Sequence, residues 1–373
     1  MTKIGLRKAW FQVHKWIGLI LAVLIIPISL TGSALVWHDP IERWMHPERY
    51  AVSGPADLPV TAYAAAAQPV LGPGELLQRV EIPEEAGEPV TAVAMKPGEG
   101  RPQRLTVYLD PASAKVLATA RSGEGVLHVM HVLHGSLMVP GVGRQIVGWV
   151  GAAMLISSIS GLWLWWPLTG SWRRGLRWKR HPNFDTNLHH QFGFWISLPL
   201  FVLSLTGVWI SFPQWFSVFE SAPAQRGPGG PGGPGGRFAP PLALPLSALE
   251  PVVTRAEEAA GGRAVSVAWP NERAPEWTVS VKPVSGPAAE VKVGTEDLMT
   301  KVEASRGEPP ETLARLMRRI HDGNGFPFAW QLIVFLGGIL PAVLAVTGII
   351  MWWRARGWRG ELAAKQQRKR APA

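Results

Sequence analysis

The distribution of apolar residues divides the chain into four long hydrophobic runs and the polar segments between them. Each run can cross the hydrocarbon core of a bilayer as a helix, which takes about 20 residues, and each carries tryptophan near an end, as interface anchoring predicts. Pro27, Pro199 and Pro341 lie inside runs, but membrane helices tolerate proline through local rearrangement. We therefore predict membrane-spanning helices over residues 16–37, 146–167, 191–212 and 330–353.

Lysine and arginine are concentrated in three segments beside these runs. The N-terminal segment 1–15, the loop 168–190 with "SWRRGLRWKRHP", and the tail 354–373 are all basic. Because basic flanks stay on the cytoplasmic side, these three segments should be cytoplasmic. Segments 38–145 and 213–329 should then lie outside, which in a bacterium places the chain in the inner membrane with two periplasmic segments.

Both external segments are predicted to form small α+β modules. The first has a helix candidate at "GELLQRV", followed by strand-like "EPVTAVAM" and "QRLTVYLDPASAKVLATA", in which "LDPASAK" indicates a turn. The second has helical "LSALEPVVTRAEEAAG", followed by strand-like "RAVSVAW", "EWTVSVKP" and "AAEVKVG". Ahead of it, residues 226–241 are rich in glycine and proline, a composition typical of a linker rather than a packed core.

The chain is internally repeated. The first run begins "HKWIG" and continues to "SLTG", and the third begins "HHQFG" and also continues to "SLTG". The second and fourth runs align through Trp165-Trp166 and Trp352-Trp353. The unit is therefore helix, external module, helix, used twice in the same direction, which predicts a pseudo-twofold axis along the membrane normal. The fold class is an α-helical membrane protein with four spanning helices in two parallel repeats, each with a periplasmic module.

The repeat selects among the histidines. The stretch "HVMHVLHG" has His128, His131 and His134 on adjoining parts of one helix face, but only His134 has a histidine counterpart, since His131 aligns with Arg318. Two facing imidazoles with a planar gap between them are the axial ligands that a six-coordinate haem iron requires. The predicted haem ligands form two pairs, His14 with His189 and His134 with His321. His131 is the alternate for His134, and His190 is the alternate for His189.

Glycines fall where such a cofactor needs space. Gly32 lies eighteen residues beyond His14, about 27 Å along a helix, and therefore near the opposite histidine pair. Gly207 lies eighteen residues beyond His189 in the same way, whereas Gly161 and Gly348 lie 27 residues after His134 and His321. Each histidine pair should therefore face two glycines of the other two helices. Helix packing is the alternative role for these glycines. Zinc or copper is an alternative to haem, but no carboxylate or thiolate support lies nearby.

Composition removes several other classes of function. The 373-residue chain has no cysteine, which excludes disulfides, thiolate-bound iron–sulfur clusters and covalently attached haem c. The net charge of +10 comes from basic residues beside apolar runs, which argues for a bilayer and against a nucleic-acid partner. No G-x-G-x-x-G after a strand and no P-loop is present, so we expect no flavin or nicotinamide site in the chain. Electrons for any bound haem would then have to come from a separate donor.

Several of these motifs together carry a family resemblance. "HKWIG…SLTG", the paired modules with "VYLDPASAKVL", and the closing "SGLWLWWP" and "TGIIMWWR" resemble the PepSY-associated transmembrane family of iron-regulated bacterial inner-membrane proteins. Within that family the chain looks like the ferric-siderophore reductases, including those acting on ferrioxamine. The resemblance implies two b-type haems, and reduction of periplasmic iron(III)–siderophore to iron(II), which hard siderophore oxygens hold less tightly.

The resulting hypothesis is an electron relay from the cytoplasmic or membrane side to an iron complex at the external modules. Its catalytic residues are not identified by the sequence. Basic side chains near the histidines are candidates to pair with haem propionates or an anionic substrate, and an ordinary interface role is the alternative for each: Arg144, Arg318 and Arg319 outside, and Lys15, Arg173 and Arg174 inside.

Two functions of other classes stay open at this point. One is a periplasmic binding or regulatory protein anchored by its helices, for which a single anchor would suffice. The other is a siderophore or small-solute permease, which is expected to carry polar or unwound positions at mid-membrane. Apart from Ser, Thr and Gly, the mid-helix positions here are apolar, which favours the reductase.

Overall fold

The computed structural model describes residues 2–96, 103–166, 172–178, 180–219, 239–283, 288–303 and 311–370. The chain forms two compact units. The helical unit comprises Met1–His38, Val126–Ser221 and Glu311–Ala373, and the sheet unit comprises Asp39–Gly125 and Ala222–Pro310.

The described α-helices are α1 (Lys3–Leu35), α2 (His38–Met45), α3 (Val60–Ala67), α4 (Val126–Ser136), α5 (Gly143–Trp165), α6 (Phe184–Ser211), α7 (Pro213–Phe216), α8 (Leu249–Ala260), α9 (Leu313–Asp322) and α10 (Phe328–Arg370). The strands are β1 (Leu76–Glu81), β2 (Val90–Lys96), β3 (Gln103–Leu109), β4 (Val116–Arg121), β5 (Gly262–Ala268), β6 (Glu276–Pro283), β7 (Ala289–Gly294) and β8 (Thr300–Glu303).

Four helices have the length and apolar character to cross a membrane, as the sequence predicts: α1, α5, α6 and α10. Their surfaces expose large apolar side chains: Ile20, Val23 and Leu198 are 67%, 77% and 71% exposed. Soluble proteins rarely expose apolar surface of this extent to water. The chain is therefore a membrane protein with a lipid-facing helical unit.

The helices extend beyond the predicted spans. The first begins at Lys3 instead of residue 16, where the Thr2 hydroxyl accepts a hydrogen bond from the Gly5 N–H as an N-cap. The last continues to Arg370 instead of ending at residue 353. Hydropathy marks only the part of a helix in lipid, whereas lysine, arginine, glutamate and glutamine are good helix formers that carry it further.

Packing within the helical unit places the short helices against the spanning ones. The helix α1 packs against α5 and α10, and α6 packs against the same two, so that the four spanning helices form a bundle. The short α4 packs on α1 and α5, and α9 packs mainly on α6. Both short helices were predicted inside the periplasmic segments 38–145 and 213–329, but they belong to the helical unit.

The two predicted modules share one antiparallel sheet of eight described strands, in the order β4-β3-β2-β1-β5-β6-β7-β8. The strands β1 and β5 join the halves through Arg79 opposite Ala268 and Val80 opposite Val267. Pairing satisfies backbone groups that would otherwise be exposed at two sheet edges. The Gly/Pro-rich segment predicted as a linker over 226–241 lies outside the described residues as far as 238.

One helix prediction in this unit is wrong. "GELLQRV" was expected to be helical, but Leu76–Glu81 is the strand β1. The register of β1 against β2 shifts between Leu77 and Arg79, a β-bulge. The bulge spaces the buried Leu77 and Val80 three residues apart, a spacing that imitates the period of a helix face.

The core of the sheet unit lies between the strands and the helices α3 and α8. Alternate residues of β2, β3, β6 and β7 are buried, as a half-covered sheet requires. Tyr63 of α3 and Trp277 of β6 are among the largest fully buried side chains. One hydrophobic cluster spans both halves of the sheet, so the two sequence modules fold as a single body.

The turn predicted at "LDPASAK" is held by Asp110. Its carboxylate accepts hydrogen bonds from the Ser53 N–H at 2.7 Å and the Ser53 hydroxyl at 2.6 Å, and from the N–H and hydroxyl of Ser113. Burial raises the pKa of Asp110, but these hydrogen bonds outweigh it and hold the pKa below its usual range. The residue anchors the turn, as its sequence context indicates.

Candidate cofactor sites

Two histidine pairs form in the helical unit. His14 of α1 and His189 of α6, here called the first histidine pair, have ring centroids 6.4 Å apart and ring planes at 87°. His134 of α4 and His321 of α9, the second histidine pair, have centroids 5.9 Å apart and planes at 43°. The structure therefore brings together the partners that the sequence repeat selects.

The separation within each pair suits two axial ligands of one metal ion. An imidazole nitrogen bonds a first-row transition metal at about 2.0–2.1 Å, so two imidazoles on opposite sides of one ion hold their ring centroids about 6 Å apart. Both observed separations agree with that value. Imidazoles in van der Waals stacking would instead lie closer and more nearly parallel, as His181 and His190 do at 4.5 Å and 26°.

Each of the four rings also lies against one of the predicted glycines. A Cβ built on Gly32 would lie 2.5 Å from Cε1 of His134, and one on Gly207 would lie 3.2 Å from Cε1 of His321. For the first pair, the corresponding distances are 3.0 Å between Gly161 and His14, and 3.5 Å between Gly348 and His189. These glycines were expected to make room for a macrocycle, but in the structure the groups that lie against them are the imidazole rings.

The Nδ1 atom of every paired histidine is engaged by backbone or hydroxyl oxygen. His14 Nδ1 lies 3.2 Å from the Ser157 carbonyl, His134 Nδ1 lies 2.8 Å from that of Ile28, and His321 Nδ1 lies 3.1 Å from that of Leu203. His189 Nδ1 lies 2.9 Å from Oγ1 of Thr347. Because a carbonyl can only accept, Nδ1 carries the proton and Nε2 presents its lone pair in His14, His134 and His321.

No hydrogen bond to any of these four Nε2 atoms occurs within the described part of the chain. A protonated, hydrogen-bonded Nδ1 with a free Nε2 is the arrangement of metal-binding histidines, whose second nitrogen is held by an outer partner. The rings of the first pair border an open cavity of about 200 Å³, otherwise lined mainly by apolar side chains such as Phe194, Leu200 and Leu344. The structure therefore has an apolar space beside His14 and His189.

The second histidine pair lies outside the spanning helices, and both of its rings are partly buried. Desolvation lowers the pKa of His134 below its ordinary value, and desolvation together with the nearby His134 lowers the pKa of His321 to about 3. Both shifts favour the neutral imidazole, which is the form that binds a metal. The neighbouring Asp322 has a raised pKa, chiefly because of burial.

The alternate histidines do not take part in either pair. His131 is exposed on α4 and makes no ring contact with His321 among the described residues. His190 stacks on His181 instead of facing His14. No group of three or more His, Cys, Asp or Glu side chains in the described ranges is arranged to hold a metal ion, so "HVMHVLHG" contributes one member of a pair, not a three-histidine site.

Comparison with known proteins gives the family. A family model described as the PepSY-associated TM region matches residues 11–355. The chain belongs to this family. The match includes both histidine pairs and confirms the resemblance found in the helices. No curated protein is similar enough to the chain to count as a match.

The candidate arginines of this family member differ in their surroundings. Arg144 donates to the Ile210 carbonyl, and Arg319 pairs with Glu311 at 2.7 Å and stacks on Phe326. Both are thus engaged by the protein itself, which does not support the predicted contact with a propionate. Arg318 is the outer candidate left, since its charge acts on both His321 and Asp322.

The inner basic candidates have protein partners as well. Lys15 donates to Gln12 at 2.5 Å and lies over the Trp16 ring, and Arg173 lies over the Trp172 ring. These contacts are typical of interface side chains. The side chain of Arg174 lies outside the described part of the structure.

Two arginines near the first histidine pair were not singled out from the sequence. Arg7 donates to the carbonyls of Trp163, Leu164 and Trp166, and Arg180 donates to that of Trp165 at 3.1 Å. These carbonyls lie at the C-terminus of α5 and have no acceptor role within the helix. Cationic caps there stabilise the negative end of the helix dipole and hold the segment that carries Gly161.

Proposed function

We propose that the chain is an inner-membrane oxidoreductase that binds two b-type haems and reduces iron(III) in a siderophore complex at the periplasmic face. His14 and His189 would hold one haem through their Nε2 atoms, and His134 and His321 the other. When bound, haem supplies reversible one-electron chemistry at its iron. The electron donor would be a separate cytoplasmic or membrane component.

The observation that carries the proposal is the common state of the four histidines. All four are held at Nδ1 by an oxygen of a different helix, and all four lie within a pair whose ring separation matches axial ligation of one ion. A membrane anchor or a binding protein has no need of such pairs. Four partly buried imidazoles, each held by an oxygen of another helix, are costly polar groups in an apolar bundle, and they support a functional role.

The spacing of the pairs supports transfer across the membrane. Along α1, His14 belongs to the first pair, and Gly32 contacts His134 of the second. Eighteen residues of helix separate them, about 27 Å at 1.5 Å per residue. A hydrocarbon core is about 30 Å thick, so the pairs would lie near opposite faces of the bilayer.

The substrate is inferred from chemistry at the second pair. Iron(III) held by hard siderophore oxygens gains one electron and becomes iron(II), for which those oxygens have far less affinity. The proposed substrate would be received on the side of His134 and His321. Arg318 is the candidate proposed to attract an anionic group there, since its charge acts on His321 and Asp322.

A proteoliposome assay tests this function. Vesicles containing the full chain are loaded with a membrane-impermeant reductant, and ferrioxamine and a chromogenic iron(II) chelator are added outside. We expect external iron(II) to appear at a rate that scales with the amount of protein. A chain with both His14→Ala and His321→Ala is the matched control and should behave like protein-free vesicles; equal rates for this variant and the natural chain would contradict the proposal.

A further inference from the structure

A second contact, to a hydroxyl group, recurs around the histidines. The four glycines that contact the rings are each preceded by serine or threonine. The carbonyls that accept from His14, His134 and His321 each lie four residues before the glycine. The four segments are "ISLTG" (28–32), "SSISG" (157–161), "LSLTG" (203–207) and "LAVTG" (344–348). On a helix, positions separated by three or four residues share one face, so carbonyl, hydroxyl and glycine meet the imidazole together.

Three of the four hydroxyls lie within hydrogen-bond distance of an Nδ1 atom. Oγ1 of Thr206 is 3.0 Å from His321 Nδ1, Oγ1 of Thr347 is 2.9 Å from His189 Nδ1, and Oγ of Ser160 is 3.1 Å from His14 Nδ1. All three hydroxyls reside on a helix other than that of their histidine. Each of these hydroxyls therefore holds its imidazole ring through a contact between two helices.

The direction of these bonds follows from where each hydroxyl proton goes. Thr206 donates to the Val202 carbonyl at 2.9 Å, and Thr347 donates to the Val343 carbonyl at 2.8 Å. Because the hydroxyl proton is already donated to a carbonyl, the hydroxyl oxygen accepts a hydrogen bond from the histidine Nδ1–H. This contact keeps the proton on Nδ1 and leaves Nε2 as the ligating atom.

We propose that Ser160, Thr206 and Thr347 are positioning residues that set the ring orientation and donor strength of their histidines, and so the reduction potential of the bound haems. The proposal rests on the haem binding proposed above. An acceptor on Nδ1–H makes an imidazole a stronger electron donor to its metal. A stronger donor favours iron(III) over iron(II), so each hydroxyl would lower the potential of the haem that its histidine holds.

The fourth hydroxyl provides an internal control. Oγ1 of Thr31 bonds the carbonyls of Pro27 and Ile28, at 2.6 and 3.1 Å, and has no bond to His134 among the described residues. His134 Nδ1 instead uses the Ile28 carbonyl at 2.8 Å. Thr31 and Thr206 thus occupy matching positions in the repeat, before Gly32 and Gly207, but only Thr206 contacts its histidine.

The test is a redox titration of the purified full chain carrying Thr206→Val. The variant keeps the shape of the side chain and removes the oxygen, while the Leu203 carbonyl still accepts from His321. We expect both haems to remain bound and the potential of the haem at the second pair to rise. Thr206→Ser should restore the natural potential, and Thr31→Val should change it by less than Thr206→Val.

A second readout, the low-spin electron paramagnetic resonance signal, reports the relative orientation of the two axial rings. It should change for Thr206→Val and return to normal for Thr206→Ser. An unchanged potential and signal in Thr206→Val with two haems bound would overturn the positioning role but leave the proposed function intact. Equal shifts in Thr31→Val and Thr206→Val would also overturn it, while a natural chain without haem would overturn the proposed function itself.

Discussion

Replacing His321 by alanine is expected to remove one of two bound haems and to leave the other. The ring of His321 lies 5.9 Å from that of His134 and is held by Thr206 and Leu203. Among the described residues, His321 is the histidine whose ring pairs with that of His134, and the exposed His131 makes no such ring contact. A haem with one axial histidine lost would bind weakly, so the haem content should fall from two per chain to one.

The pairing also predicts which haem each histidine variant loses, not only that absorbance falls. His134→Ala should remove the same spectral component as His321→Ala, while His14→Ala and His189→Ala should both remove the other component. His131→Ala is the matched control, since it changes an exposed histidine one turn from His134 on α4. Retention of both haems in His321→Ala, or loss of a haem in His131→Ala, would contradict the assignment.

Adding a single methyl group at Gly32 is expected to displace the second haem almost as effectively. A Cβ at this position would lie 2.5 Å from Cε1 and 2.8 Å from Nδ1 of His134, closer than atoms can approach. The imidazole must therefore move out of line with His321, and its hydrogen bond to Ile28 must break or stretch. Gly32→Ala should consequently lower haem content toward one per chain, as measured by absorbance of the purified protein.

Two matched glycines show whether the effect is specific. Gly135 lies beside His134 on α4, and a Cβ there meets nothing within 4 Å, so Gly135→Ala should keep both haems. A Cβ at Gly348 would be 3.5 Å from Cε1 of His189, an ordinary contact, and Gly348→Ala should also keep both. Full haem content in Gly32→Ala, or equal losses in all three variants, would show that the ring–glycine contact does not matter.

The repeated parts of the helical unit could be predicted because their physical causes are local or periodic. Spanning helices follow from apolar length alone, and the pairing of His14 with His189 follows from matching positions in the two halves. The repeat also selected Gly32, Gly161, Gly207 and Gly348, although it assigned them to the macrocycle when their first neighbours are the imidazoles. The sequence repeat therefore identified the four glycines but did not predict which groups they contact.

Other features depend on contacts that no single segment encodes. The strand β1 carries a bulge that spaces Leu77 and Val80 like a helix face, and its pairing with β5 joins segments that are far apart in the chain. The roles of Arg144 and Arg319 are set by the Ile210 carbonyl and by Glu311. A charged side chain near a predicted site gives no indication from sequence alone that another partner already engages it.

The hydroxyl contacts lie between these two cases. The threonine or serine before each of the four glycines is visible in the sequence repeat, so the signal was present. Its meaning required the structure, because serine and threonine in membrane helices most often bond their own backbone. Only the distances from Ser160, Thr206 and Thr347 to Nδ1 atoms of other helices distinguish a positioning role from that local one.

The haem content of the purified natural chain tests the central claim most directly. The full-length protein would be expressed in cells supplied with haem, purified in detergent, and assayed by the pyridine haemochrome method together with its reduced-minus-oxidised spectrum. The two histidine pairs predict two b-type haems per chain, both low-spin with bis-imidazole ligation. A colourless protein, or a haem that lacks bis-imidazole ligation, would contradict the account.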